Sequence, residues 1–267
     1  MKKNGLITLI TLLITCFTLS GCDKKHDPNT VVVGTIAGPE TELMEAARTV
    51  MKEKYHLNLK IVPFTDYNMP NLALNDGSLD ANVFQHQPFL ASQIKSHGYK
   101  ISSIGRTFIY PMALYSKKIR DITNIPEKAK VAIPSDPSNE ARALLLLQKA
   151  QLITLKAGSD VKATPLDIEN NPKNLQFVEL NAAQLTRSLN DVTLAAINTN
   201  YALTGGLSPK RDGLVLEDRG SPYANLIVVK SNEKDKKQLQ DLVKSLQSPM
   251  VANKAKELFG DDALPAY

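Results

Sequence analysis

From Val31 onward, short β-branched runs alternate with segments whose apolar residues recur every three or four positions, and this alternation fixes the fold class. Val31 to Ile36 reads as a strand, and Pro39 opens a helix on which Leu43, Ala47, Val50 and Met51 share one face. A second strand is expected at Leu57 to Pro63, a helical stretch at Pro70 to Leu74, and a turn at Asp76-Gly77. A third strand follows at Leu79 to Phe84, then a helix from Pro88 to Lys95. Strands separated by amphipathic helices predict an α/β architecture, doubly wound and mostly parallel, with crossover helices on the sheet faces.

The pattern changes between Lys100 and Ser116, where two extended segments surround Pro111, and a new strand is expected at Val131 to Ile133. This marks a crossing into a second lobe that repeats the theme. Pro134 to Ser138 is its loop, and Asn139 to Ala150 is its helix, with Asp136 or Ser138 as N-cap. Further elements are expected as a strand at Gln176 to Leu180, a helix at Ala182 to Leu189, a strand at Leu194 to Ile197, and extended segments at Leu214 to Glu217 and Ala224 to Val229. Helices at Asn232 to Leu246 and Pro249 to Phe259 close the chain, with Lys, Asp and Glu on their solvated faces. The expected organisation places residues 31–110 and 226–267 in one lobe and 111–225 in the other.

The first residues carry an address rather than a fold. Lys2 and Lys3 precede the apolar run Leu6 to Leu19, and Leu19-Ser20-Gly21-Cys22 follows, so residues 1–21 read as a secretory signal too short for a membrane span. A cysteine directly after a small pair is placed for lipidation, and residues 22–30 then read as the lipidated Cys22 and a polar, flexible tether. About 245 residues remain for the folded body, enough for two lobes with real cores. The two cysteines are Cys16, lost with the signal, and Cys22, so the mature chain has no thiol pair. Net charge is +5, or +3 without Lys2 and Lys3, and the lysines are scattered, which argues against a nucleic-acid partner. Phosphate loops, dinucleotide fingerprints, zinc-protease motifs and Cys-x-x-Cys pairs are missing, so no cofactor or metal is expected. Nucleophile-elbow and carboxylate-pair motifs are missing as well, and the chain does not read as an enzyme.

Two α/β lobes on an exported, tethered chain suggest a solute-binding protein with its ligand between the carboxyl ends of two sheets. Five separated segments sharpen this: Asp80 to Leu90 (DANVFQHQPFL), Tyr110-Pro111, Pro134 to Asn139 (PSDPSN), Ile197 to Ala202 (INTNYA) and Ser221 to Asn225 (SPYAN). Together, in this order, they resemble the NlpA/MetQ methionine-binding lipoproteins over essentially the whole mature chain. The resemblance implies a two-lobed, type II periplasmic-binding-protein-like fold. It also implies methionine, L or D, as ligand, and the permease and ATPase subunits of an ABC importer as partners. The protein is then a monomer held at the membrane by its lipid, and Asp23 after the lipidated cysteine resembles proteins kept at the inner membrane. Alternatives are a binding protein for another small solute, an exported enzyme, or a surface adhesin without a transport role.

A buried amino-acid zwitterion needs both of its charges paired. Asn139 and Arg142, three apart at a helix start, share a face where Arg142 can grip a carboxylate with two parallel hydrogen bonds and free N–H groups add positive potential. The bland alternative makes Arg142 a surface residue and Asn139 part of the cap. Asn198 and Asn225 flank apolar strands and can accept from an ammonium; as loop asparagines they can equally be turn residues. Tyr67, Phe84 and Tyr110, with Phe89, are the expected apolar wall, where a thioether sits well against aromatic rings; Phe89 reads rather as core. His86 resembles the family histidine that hydrogen-bonds at the pocket, beside an equal reading as a structural histidine. Glu140 stands beside the proposed anion site and weakens it unless its side chain faces solvent, which helical spacing permits, since residue 140 points away from 139 and 142.

Overall fold

The computed structural model describes residues 27–218, 222–260 and 263–267. The signal segment, Cys22, Asp23 and the rest of the tether to His26 lie outside them, as does Ser221. Strand β1 (Thr30–Ile36) leads into α1 (Pro39–Tyr55), β2 (Asn58–Phe64), α2 (Met69–Asp76), β3 (Ala81–His86), α3 (Gln87–His97) and the long β4 (Ile101–Ile109). The chain then crosses to a second sheet through Tyr110-Pro111-Met112. There it forms β5 (Ala113–Tyr115), β6 (Lys130–Pro134), α4 (Pro137–Lys149), β7 (Thr154–Leu155), β8 (Ile168–Asn170), β9 (Gln176–Leu180), α5 (Leu185–Ser188) and β10 (Leu194–Ile197). After α6 (Thr199–Thr204), α7 (Pro209–Asp212) and β11 (Val215–Leu216) it returns as β12 (Ala224–Lys230), followed by α8 (Lys237–Leu246), α9 (Pro249–Phe259) and β13 (Leu264–Pro265).

The six-stranded sheet runs β13-β4-β12-β3-β1-β2 and the five-stranded sheet β11-β5-β10-β6-β9, with β7 and β8 paired separately. The expectation of mostly parallel sheets needs correction, because both are mixed. β1 is parallel to β2 and β3, and β6 to β9 and β10, but β12 runs antiparallel to β3 and β4, and β5 antiparallel to β10 and β11. The cause lies in the crossings. The chain leaves the first sheet along β4 and comes back along β12, so two neighbouring strands must point in opposite directions. The tether also ends earlier than expected: Asp27 accepts from the Asn29 N–H at 3.0 Å and the Thr30 hydroxyl at 2.8 Å, and Thr30 already pairs with Asn58.

Each sheet has its own core. Leu43, Met44, Ala47 and Met51 on α1 pack against Val31, Val33, Ile227 and Val229, with Leu242 of α8 and Val251 of α9 closing that layer. Burying side chains of this size stabilises by about 1.5 to 3 kcal/mol each. In the second sheet, Leu144 and Leu147 of α4 lie fully buried over Val131, Ile133 and Leu194. A third cluster bridges the sheets and contains Ile36, Phe84, Phe89, Tyr115, Ile197 and Tyr201.

Candidate functional site

The parallel strands decide where the polar residues gather. Glu40 follows the carboxyl end of β1, His86 ends β3, Asn139 and Arg142 follow β6, and Asn198 follows β10. These ends face one another across the cleft, where open α/β sheets hold their ligands. One pocket is lined by all of them, with Tyr67, Phe84, Phe89, Tyr110, Asn200 and Asn225, and its space amounts to about 370 Å³ including the part open to solvent. Every site residue expected from the sequence within the described residues therefore lines this pocket.

Gly38 sets the first wall. It holds φ at +114°, and an added Cβ would lie 2.7 Å from Thr204 Oγ1 on α6, so the chain turns there with nothing but glycine between the sheets. Pro39 starts α1 and the next residue, Glu40, enters the pocket. Its carboxyl accepts from Asn225 Nδ2 at 3.0 Å through Oε1, while Oε2 is buried with no hydrogen-bond partner. Burial pushes this carboxyl up to about 8 against the pull of the Asn225 amide, so the empty site holds it largely neutral near pH 7.

Asn139 is locked from both ends. Asp136 caps α4 by accepting from the Asn139 N–H at 3.0 Å, and its two oxygens take Asn139 Nδ2, each at 3.0 Å. The amide oxygen is thereby aimed the other way, toward Asn198 Nδ2 at 2.9 Å and His86 Nε2 at 3.2 Å. The cap also answers a point of the sequence reading: the Asn139 N–H is used by Asp136 and does not await an anion. His86 accepts the Phe89 N–H at Nδ1, at 3.3 Å, which leaves its proton on Nε2 for Asn139. Burial, then the nearby Arg142 charge, push the imidazole down to about 3, and it stays neutral. His86 is thus a helix cap and a pocket wall at once, and its bond to Asn139 joins α3 of one sheet to α4 of the other.

Arg142 is 4% exposed, but it does not stand free. Its Nε donates to Glu217 Oε1 at 2.9 Å, Nη2 donates to Glu217 Oε2 and, at 2.9 Å, to the Tyr110 carbonyl, and its guanidinium lies 4.2 Å from the centre of the Tyr223 ring. The side edge of the guanidinium belongs to Glu217, which corrects the picture of a two-bond grip along that edge. A ligand carboxylate is left the opposite side, at Nη1. Glu217 also accepts the Met112 N–H at 3.2 Å, so the pair straps both crossings between the sheets.

The apolar wall is aromatic. Tyr67 meets Phe84, Phe89 and Tyr201 at centroid distances of 5.8, 5.9 and 5.0 Å, and Tyr110 packs on Phe259 at 4.7 Å. Phe89 serves both as core and as lining. Tyr67 also donates to Asn200 Oδ1 at 2.7 Å across the cleft, leaving Asn200 Nδ2 buried without a partner. Asn198 Oδ1 is unpartnered too. Glu40, Asn200 and Glu217 escaped the sequence reading, since an acid in a helix's first turn and an asparagine within one normally have local roles. Glu140 is absent from the lining but is not turned to solvent: it is buried beside Glu179, and burial, then the charges of Glu179 and Asp136, push its carboxyl up to about 7.

Two mixed α/β sheets clasping a small pocket with an arginine at one side, amides around it and an aromatic wall define a substrate-binding protein. Residues 31–267 match the family described as NlpA lipoprotein, and the chain belongs to that family. The D-methionine-binding lipoprotein MetQ of Salmonella typhi is 48% identical over 258 residues, covering 96% of this chain and 95% of that one. A periplasmic substrate-binding protein of an ABC transporter from Coxiella burnetii superposes with a TM-score of 0.86 at 60% identity, over 88% of this chain and 100% of that structure. A nutrient-binding protein from Burkholderia cenocepacia, solved with methionine bound, gives a TM-score of 0.87 at 50% identity over 89% and 100%. Among the described residues no helix is long and apolar enough to cross a membrane, and no group of His, Cys, Asp and Glu is placed to hold a metal.

Proposed function

We propose that this chain is the substrate-binding lipoprotein of a methionine ABC importer, capturing free methionine in the pocket between its sheets and passing it on unchanged. The observation that carries the reading is the set of buried, unpaired polar atoms at one pocket: Glu40 Oε2, Asn198 Oδ1 and Asn200 Nδ2. Buried polar groups are nearly always hydrogen-bonded, so an amide acceptor, an amide donor and a carboxyl in one place call for a ligand carrying both donors and acceptors. An amino acid does so, and the rings of Tyr67 and Phe84 suit a thioether at about 0.3 to 1.5 kcal/mol per contact. Relatives named for methionine at 48% and 50% identity support the choice of side chain.

In this reading Arg142 attends the carboxylate from a wall that Asn139 orders, the amide oxygens of Asn198 and Asn225 accept from the ammonium, and Tyr67, Phe84, Tyr110 and His86 line the side chain. Cys22 carries the lipid that keeps the protein beside the permease and ATPase subunits, and Asp23 retains it at the inner membrane. Calorimetry on protein stripped of ligand by unfolding and refolding is the test. Micromolar or tighter binding of L- or D-methionine, about 8 kcal/mol or more, is expected; no heat with either, but heat with another amino acid, overturns the specificity. Membrane fractionation of wild type and Asp23→Ser tests the address, with the variant expected in the outer membrane.

A further inference from the structure

We infer that Glu40 is the counter-charge for the ligand's ammonium group, and that ligands with the amine are selected by transferring the Glu40 proton to solvent as they bind. The inference rests on the amino-acid reading of the pocket and adds a specificity residue and a proton balance to it. Glu40 is 7% exposed, lines the pocket, and has one oxygen held by Asn225 and the other buried without a partner. A carboxyl desolvated in this way stays ionised only beside a cation, and among the described residues none acts on it. The nearest guanidinium, Arg142, is engaged by Glu217, and the ionisable groups coupled to Glu40 are the neutral phenols of Tyr67, Tyr110 and Tyr201. His86, on β3, is neutral as well.

The balance follows. In the empty site the carboxyl holds its proton; an arriving R–NH3⁺ forms an N–H···O bond to the carboxylate, and the Glu40 proton leaves to water. No covalent bond to carbon forms or breaks. A ligand with a hydroxyl in place of the amine has no cation to offer, and Glu40 keeps its proton. The pocket then discriminates by charge at one atom.

The probes are L-methionine and 2-hydroxy-4-(methylthio)butanoate, which differ only in that group. Wild type is expected to prefer methionine by on the order of 100-fold, the scale of a charged hydrogen bond in a buried site. Glu40→Gln is expected to reduce that preference to below about 5-fold, and retention of the full preference in the variant overturns the inference. A second measurement does not depend on the variant: calorimetry of wild type at pH 7 in buffers of different ionisation enthalpy. With the group at about 8, roughly 0.9 proton is expected to leave per methionine bound, and none with the hydroxy acid. Equal proton counts for the two ligands overturn it. Failure of wild type to bind methionine at all defeats the functional reading instead, so the two failures are distinct.

Discussion

Removing the carboxylate that holds Arg142 is expected to destabilise the ligand-free protein severely. In Glu217→Gln the guanidinium keeps its bond to the Tyr110 carbonyl and its stack on Tyr223, but loses its one charge partner among the described residues while 4% exposed. Leaving one member of a buried pair uncompensated costs about 3 to 5 kcal/mol, and the remaining cation–π contact, worth about 0.5 to 2 kcal/mol, places the expectation near 3. For a body of this size that lowers the melting temperature by roughly 6 to 12 °C, at about 2 to 4 °C per kcal/mol. The discriminating assay is a double-mutant cycle by urea unfolding: wild type, Glu217→Gln, Arg142→Met and the double variant, all stripped of ligand. Arg142→Met removes the charge, so the second change then has little left to expose, and the double variant is expected to be about 2 kcal/mol more stable than the singles sum to. Strict additivity, within about 0.5 kcal/mol, refutes the idea that the two groups serve each other.

Gly38→Ala is expected to lose about 2 to 3 kcal/mol in unfolding experiments, because φ at +114° suits glycine alone and the new methyl meets Thr204; adding Thr204→Ala should return only the steric part. Tyr67→Phe keeps the ring and removes the 2.7 Å bond to Asn200 across the cleft, so methionine affinity measured by calorimetry should fall about 5- to 10-fold. The pH dependence has two limbs. Glu40, raised from 4.5 to about 8, contributes stability that is present below pH 4.5 and lost as pH rises through 8. His86, lowered from 6.5 to about 3, binds protons more readily unfolded, so stability falls as pH drops below 6.5. Urea midpoints of the ligand-free protein between pH 5 and 8.5 should show both limbs, and Glu40→Gln should flatten the alkaline one alone.

The fold was readable wherever one period dominated. Strand β1 and helix α4 are strongly patterned, and their bounds lie within two residues of the expected ones, α4 starting at Pro137 because Asp136 caps it, while α1 starts at Pro39 as its proline signals. The short helix α6 was not readable, since Thr199 to Thr204 is a polar six-residue segment held by the Asn198 turn and by the Thr199 hydroxyl on the Pro111 carbonyl at 2.5 Å. Strand directions were hidden for another reason: nothing local in β12 records that it returns beside β4. The site divides similarly. Arg142, Asn139 and Asn198 announce themselves by residue type and position after a strand, whereas Glu217 acts only through a contact 75 positions away from Arg142, which no spacing rule can express.

The pocket's polar groups also set what an occupant must supply. Bonds across the cleft, His86 to Asn139 and Tyr67 to Asn200, hold the two sheets together, yet the empty pocket leaves Glu40 Oε2, Asn198 Oδ1 and Asn200 Nδ2 buried and unpaired. Each such group costs about 1 to 3 kcal/mol, so the empty pocket carries a cost of several kcal/mol that a bound molecule with matching groups removes. A ligand shifts a conformational equilibrium only by its differential affinity for the two states. Here that difference resides in the unpaired atoms: Glu40 is on the first sheet's α1, Asn198 and Asn200 on the second sheet's side, and only a molecule with donor and acceptor ends at the right separation satisfies both walls. The Arg142–Glu217 strap adds direction, because the guanidinium that faces the ligand is bonded to both connecting segments.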